Sequence, residues 1–374
     1  MSGGTVTLFV CGDVMLGRGV DQILARPGDP GLREGYVTDA RAYVSMAEAV
    51  SGPIPVPVDA AYPWGEALAL LEACAPDVRI VNLETSVTRS DAFEPGKAVH
   101  YRMHPANLPA LMVARPDVCV LANNHVQDFG RPGLEETLAV LHGAGLRTAG
   151  AGRTAEEAYA PVALPLPHGG RVLVFALGVA TSGIPPGWAA TADRPGVAHV
   201  PELSPATAAA AVRHIRSVKR AGDIVVVSVH WGSNWGYLVP RDQRRFAHAL
   251  VDGGADVVHG HSSHHPRPVE LYRNRLILHG CGDFIDDYEG IPGYEEYRDD
   301  LRIAYFVTVA ADTGALTDLR MSPLLARRMR LEPAPPEDSA WLRTTLDRIS
   351  YGAHLSLNTD GALTLAKGAA RAAR

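Results

Sequence analysis

Short β-branched runs alternate along this chain with longer Ala- and Leu-rich segments of helical period. That rhythm is the signature of a sheet covered by helices on both faces. Strands are expected at residues 5–11, 78–81, 118–122, 172–177, 224–229 and 256–258, with later ones at 276–279 and 303–309. Helices fit residues 67–73, 134–142, 205–220 and 242–251 between them. The spacing predicts an α/β layered fold. With 374 residues, 47% of them hydrophobic, the chain can bury a large core and exceeds the usual size of one compact domain. The expectation is a large domain over residues 1–330 and a C-terminal helical extension over 331–374. In that extension the run PAPPED breaks the chain, a last amphipathic helix fits 339–350, and an Ala/Arg-rich surface tail follows.

Each strand run closes on a polar group. The first ends in Gly12-Asp13, the second in Asn82-Leu83-Glu84, and the third in Asn123-Asn124-His125. A later one ends in His230-Trp231, and the next in His259-Gly260-His261-Ser262-Ser263-His264-His265. In parallel α/β sheets those C-terminal ends lie on one edge, where ligands bind. A single Asp after a strand is commonly a helix cap, and a single strand-end His is commonly a packing residue. Five successive apolar strands that all end in ligand-type side chains are harder to reconcile with packing. Carboxylates, an amide oxygen and imidazoles together suit a borderline metal and are enough for one or two ions. The ligand candidates are Asp13, Glu84, Asn124, His230, His261 and His264, with His259 and His265 outside the first set.

Composition narrows the partners. Against 35 basic residues stand 41 acidic ones, a formal charge of −6, so no global field points to nucleic acid or anionic lipid. No stretch reaches the roughly 18 apolar residues of a membrane span, and MSGGTVTLFVCGDV lacks a charged region followed by a long apolar run. A cytoplasmic protein without membrane or nucleic-acid partners is expected, and nothing in the sequence signals an oligomeric state. The four cysteines are scattered without a C-x-x-C pair and receive no function. Two Pro/Gly-rich stretches, residues 52–65 and 182–200, interrupt the rhythm as candidate substrate walls, with Tyr62, Trp64 and Trp188 as stacking residues.

The segments GDVMLGRG, NLE, ANNH, HWG and HGHSSHHPRPVE, followed by GCGDF, occur in that order between residues 6 and 309. As an ordered set they resemble the CapA family, named for poly-γ-glutamate capsule synthesis, whose fold is similar to calcineurin-like metallophosphatases. The resemblance implies a four-layer αββα sandwich of that type with a dinuclear centre. Metallophosphatases carry D-x-H, then GD, then GNH followed by an acid, then a lone His, then GHxH. On that pattern Asp13 matches the first Asp, Glu84 stands where the bridging Asp would be, and Asn124 matches the Asn ligand. His125 matches the catalytic His, His230 the lone His, and His261 with His264 the final pair. Met15 takes the place of the first motif's His, Val126 that of the acid, and the last motif is longer by one residue, which leaves His264 and His265 as alternatives.

GCGDF and GIPGYEEYR, with no membrane anchor, resemble a soluble actinobacterial subset of the family. The lasso-peptide epimerase that converts a precursor's C-terminal tryptophan to its D form is similar to that subset. This narrower resemblance implies a metal-dependent peptide epimerase whose partner is a ribosomal precursor peptide. A metal-dependent phosphoesterase and a poly-γ-glutamate biosynthesis protein are the alternatives. Inverting a Cα needs two proton-transfer groups, for which His125 and either His264 or His265 are the expected pair, with Asp128 or Asp283 as orienting partners. The cofactor would be one or two divalent ions, drawn from Mn, Fe, Zn, Ca or Mg.

Overall fold

Period-two alternation decides which way each strand faces. In the strand Thr5–Val14, Val6, Leu8 and Val10 enter one core, while Phe9 and Cys11 enter another. In Arg171–Val179, Val172, Val174 and Ala176 join the same core as Val6 and Leu8, and Leu173, Phe175 and Leu177 point the opposite way. Both faces of these strands are apolar because both are buried. The computed structural model, which describes residues 4–167 and 169–366, therefore contains two stacked sheets with a shared core between them. The Ala/Arg-rich tail expected at the C-terminus lies outside the described residues after Ala366.

The larger sheet runs parallel through Thr5–Val14, Val78–Leu83, Val118–Val120 and Arg147–Ala149. Beyond Thr5–Val14 it continues antiparallel through Leu301–Ala310 and Leu316–Arg327. The second sheet is parallel through His199–Val200, Arg171–Val179, Ile224–His230, Val257–His261 and Arg275–Leu278. Helices close the outer faces. Leu71 of Glu66–Cys74 and Leu134, Leu138 and Leu141 of Gly130–Gly143 pack under the first sheet. Ile215 of Pro205–Val218 and Phe246 and Leu250 of Arg241–Gly253 cover the second. The helix Pro205–Val218 starts sharply because Ser204 and Thr207 form a capping box ahead of a first-turn proline.

These layers form the four-layer αββα sandwich that the resemblance implies. They correct the simpler expectation of one sheet with helices on both faces: each sheet has helices on one face and the other sheet on the second. Past residue 330, Pro336–Ile349 forms a helix whose Leu342 and Leu346 reach the inter-sheet core. Leu355–Leu357 and Leu363–Leu365 then add to the edge of the larger sheet. No helix among the described residues is long and apolar enough to cross a membrane.

Candidate metal centre

The alternation that fills the inter-sheet core also aims the polar strand ends. Along Ile224–His230 the face that buries Ile224 and Val226 continues to Ser228 and His230. Along Val257–His261 the face of Val257 continues to His259 and His261. His230 and His261 stand in register on adjacent parallel strands, with Nδ1 atoms 2.7 Å apart. Asp13 meets them from the other sheet, its Oδ1 3.8 Å from His261 Nδ1. Donor atoms of Asp13, His230 and His261 all lie within 4.8 Å of one another, a group that could hold a metal ion. Asn124 Oδ1 is 2.7 Å from His230 Nε2, and Glu84 Oε1 is 3.6 Å from the same nitrogen.

Charge and burial fit a cation here. Burial, then the nearby Asp283, pushes the Asp13 carboxyl up, and burial followed by Asp13 does the same to Glu84. Burial holds His230 and His261 well below the usual imidazole range, so both are neutral donors at neutral pH. Glu84 Oε2 and Asp283 Oδ2 are buried without a hydrogen-bond partner. A buried carboxylate oxygen left unpaired is costly, and a divalent ion satisfies it. Mixed carboxylate, amide and imidazole donors suit a borderline ion.

The two His–Asp combinations left open by the sequence resolve into separate pairs. His125 Nδ1 lies 2.7 Å from Asp128 Oδ2 and 2.9 Å from Lys97 Nζ, and Lys97 also bonds Asp128. The backbone N–H of Tyr101 donates to Asp128 at 2.6 Å and fixes that carboxylate. His264 Nδ1 lies 3.0 Å from Asp283 Oδ1. His265 turns away into an aromatic cluster, stacked on Tyr297 at 4.6 Å and edge-on to Tyr237, so of the two neighbours only His264 joins the centre.

A cavity of about 490 Å³ opens beside these groups, lined among others by Glu84, Asn124, His125 and His264. Lys97, Val99, Asn234, Ile291 and Asp299 are among its other lining residues, with Gly183 as the sole contribution of the two stretches expected to form its walls. The expected stacking residues are placed elsewhere. Trp64 is fully buried, donates from Nε1 to the Ala110 carbonyl at 2.6 Å and packs on Phe284. Trp188 is buried with its Nε1 on Glu94, and Tyr62 lies beside Arg330. Large rings with a satisfied polar handle serve the core, and the cavity's aromatics are Tyr36, Tyr101, Trp235, Tyr288 and Tyr294.

Several residues of the site receive no role from the sequence. Asn123 donates to Asn82 Oδ1 at 3.0 Å, and Asn82 donates to Asp13 Oδ1 at 2.7 Å, a relay that orients the aspartate. Ser228 Oγ lies 2.8 Å from His261 Nε2. An amide or hydroxyl inside an otherwise apolar strand was the available signal. Lys97, in an irregular segment, carries none.

Over 346 residues, 92% of this chain and 91% of the relative, the chain is 51% identical to the probable polyglutamine synthesis accessory protein of Mycobacterium tuberculosis. It is 30% identical to the PGA biosynthesis protein CapA of Bacillus subtilis, over 62% of this chain and 58% of that protein. It is 26% identical to the capsule biosynthesis protein CapA of Bacillus anthracis, over 80% and 63%. These relatives overturn the expected peptide epimerase acting on a lasso-type precursor and favour the polymer-biosynthesis alternative. A match to the model of the bacterial capsule synthesis protein PGA_cap over residues 7–288, three quarters of the chain, makes the protein a member of that family.

Proposed function

We propose that this chain is a metal-dependent hydrolase serving the synthesis of a glutamate- or glutamine-based polymer. The observation that carries this reading is the convergence of Asp13, His230 and His261, with donor atoms within 4.8 Å of one another, beside a cavity lined by His125 and Lys97. The polymer class rests on the relative named for polyglutamine synthesis, 51% identical over 92% of the chain.

An ion held by these residues supplies Lewis acidity and a water activated at neutral pH. The chain's own groups do the rest. His125 Nδ1 faces Asp128 and Lys97, and its Nε2 lies on the Glu84 side, 3.8 Å from Oε1. Burial, followed by Lys97 and Arg18, holds His125 well below its usual range, so its imidazole is neutral at neutral pH. Lys97 lines the cavity wall, but Asp128 matches its charge, so it holds the His125–Asp128 pair in place. Arg18 also lines the cavity, but Asp287 at 2.5 Å and Glu34 at 3.1 Å match its charge, so its role is to hold the wall. Trp235 and Tyr294, stacked at 3.8 Å, form an aromatic side of the cavity.

The test incubates Mn²⁺-loaded wild-type protein, Asp13→Ala and His230→Ala with oligo-γ-glutamate, oligoglutamine and p-nitrophenyl phosphate. Turnover of at least one of these by the wild type is expected, with a drop of about 100-fold or more in both variants. A metal-loaded, folded wild type that cleaves none of the three, or variants that cleave as well as wild type, would overturn the proposal.

A further inference from the structure

A second cavity, of about 690 Å³, lies next to the one at the metal centre, and Tyr288, Ile291 and Asp299 line both. A polymer held at the centre has this space for its neighbouring units. On the reading of the protein as a polymer hydrolase, we propose that the second cavity binds those units and selects carboxamide groups, as glutamine units carry, over carboxylates.

Charge makes the choice. Five carboxylates and three guanidiniums line the cavity. Arg302 is bonded to Asp286 in a buried pair, and Arg298 is bonded to Asp300 and Asp338, each at 2.8 Å. Two of the three guanidiniums are thus matched. Glu289 accepts from the Ser51 hydroxyl and the Arg328 backbone N–H, while the Arg328 guanidinium pairs with Glu332 at 3.0 Å. Glu295 accepts from the Gly293 N–H. Arg302 bonds the backbone carbonyl of Asp299 and not its carboxylate. Against these three unmatched carboxylates stands Arg327, exposed at the rim and without an ion pair among the described residues. The cavity at the centre adds no spare cation, since Asp287 and Glu34 match Arg18 and Asp128 matches Lys97. A glutamate polymer would bring one more negative charge per unit into this surplus.

A carboxamide suits the same wall. It donates through its NH₂ and accepts through its oxygen. The carboxylates of Asp299 and Glu289 are acceptors for the NH₂. Arg302, 1% exposed, keeps an Nε with no hydrogen-bond partner, and that donor calls for an acceptor. An ammonium group would answer the carboxylates and leave this N–H unanswered, and a carboxylate would answer the N–H and be repelled by the acids. Only the amide serves both.

The test is calorimetric binding and turnover of oligoglutamine and oligoglutamate, of one length and one linkage, by Mn²⁺-loaded wild type, Glu289→Gln and Asp299→Asn. Wild type should bind oligoglutamine about tenfold or more tightly at low salt, with the gap shrinking as salt is added. Each variant should narrow the gap about threefold or more by binding oligoglutamate better, at an unchanged melting temperature. If Asp299→Asn does not fold, Glu289→Gln carries the same expectation. Oligoglutamate bound as tightly as oligoglutamine, neither oligomer bound, or folded variants with the wild-type gap would overturn the inference. Cleavage of both oligomers without preference would overturn it and leave the hydrolase in place. Preferential binding of oligoglutamine without cleavage would support the second cavity's role and count against the hydrolase.

Discussion

His261 shows how much of the site depends on single contacts. Ser228 Oγ lies 2.8 Å from its Nε2, and His230 and Asp13 face its Nδ1. Groups that orient a ligand ring commonly change metal affinity about 10- to 100-fold. Ser228→Ala should therefore weaken metal binding by about tenfold without abolishing it, read by competition with a chelating dye, whereas His261→Ala should leave the Asp13–His230 position unfilled. Trp64 makes a contrasting case. Its ring is buried in the core, so Trp64→Ala should cost about 3–5 kcal/mol of stability in denaturant melts, with no change in KM for any substrate turned over. At this scale the sequence showed which strand-end side chains face the inter-sheet space, because alternation along a strand is a strict period. It could not choose between His264 and His265. The strand ends at His261 and Ser262 turns the chain with φ 98°, so alternation no longer says which ring faces inward.

Elements were legible where β-branched runs dominate and obscure where they do not. Ile224–His230 lies within a residue of the strand expected at 224–229. Leu316–Arg327 went unforeseen: it reads LTDLRMSPLLAR, contains a proline and owes its form to antiparallel pairing with Leu301–Ala310. The strand Val269–Tyr272, also unforeseen, is tied to the helix Arg241–Gly253 by charge. Glu270 bonds Arg244 at 2.7 Å, His248 at 2.8 Å and His279 at 2.9 Å. Burial alone would raise its carboxyl, but the bonds from His279, Arg244 and His248 outweigh that and push it down to about 2. A depressed acid contributes stability above its unfolded value, near 4.5, and loses it as pH falls through about 2. The melting-temperature gap between wild type and Glu270→Gln should thus be widest above pH 4.5 and close as pH drops toward 2. A gap constant with pH would mean that the ion cluster does not link this strand to the helix.

Across the whole molecule, the centre exists because two sheets meet. Asp13, Glu84 and Asn124 come from the ends of one sheet's strands, while His230 and His261 come from the other's. Local pattern reveals which strand faces are buried but not which partner covers them, and for that reason the alternation alone pointed to a single sheet. The pairing of Asp283–Ile285 with Thr5–Val14 is equally long-range and equally hidden. Gly12→Ala tests that junction. Its added methyl has no room against the Gly282 carbonyl, so the variant should lose about 3 kcal/mol or more of stability or fail to fold. The most direct measurement of the central claim is an anomalous difference map from crystals soaked in Mn²⁺. A metal centre predicts a peak at about 2.0–2.2 Å from donor atoms of Asp13, His230 and His261. Density limited to water between those three side chains, in crystals soaked at millimolar Mn²⁺, would contradict it.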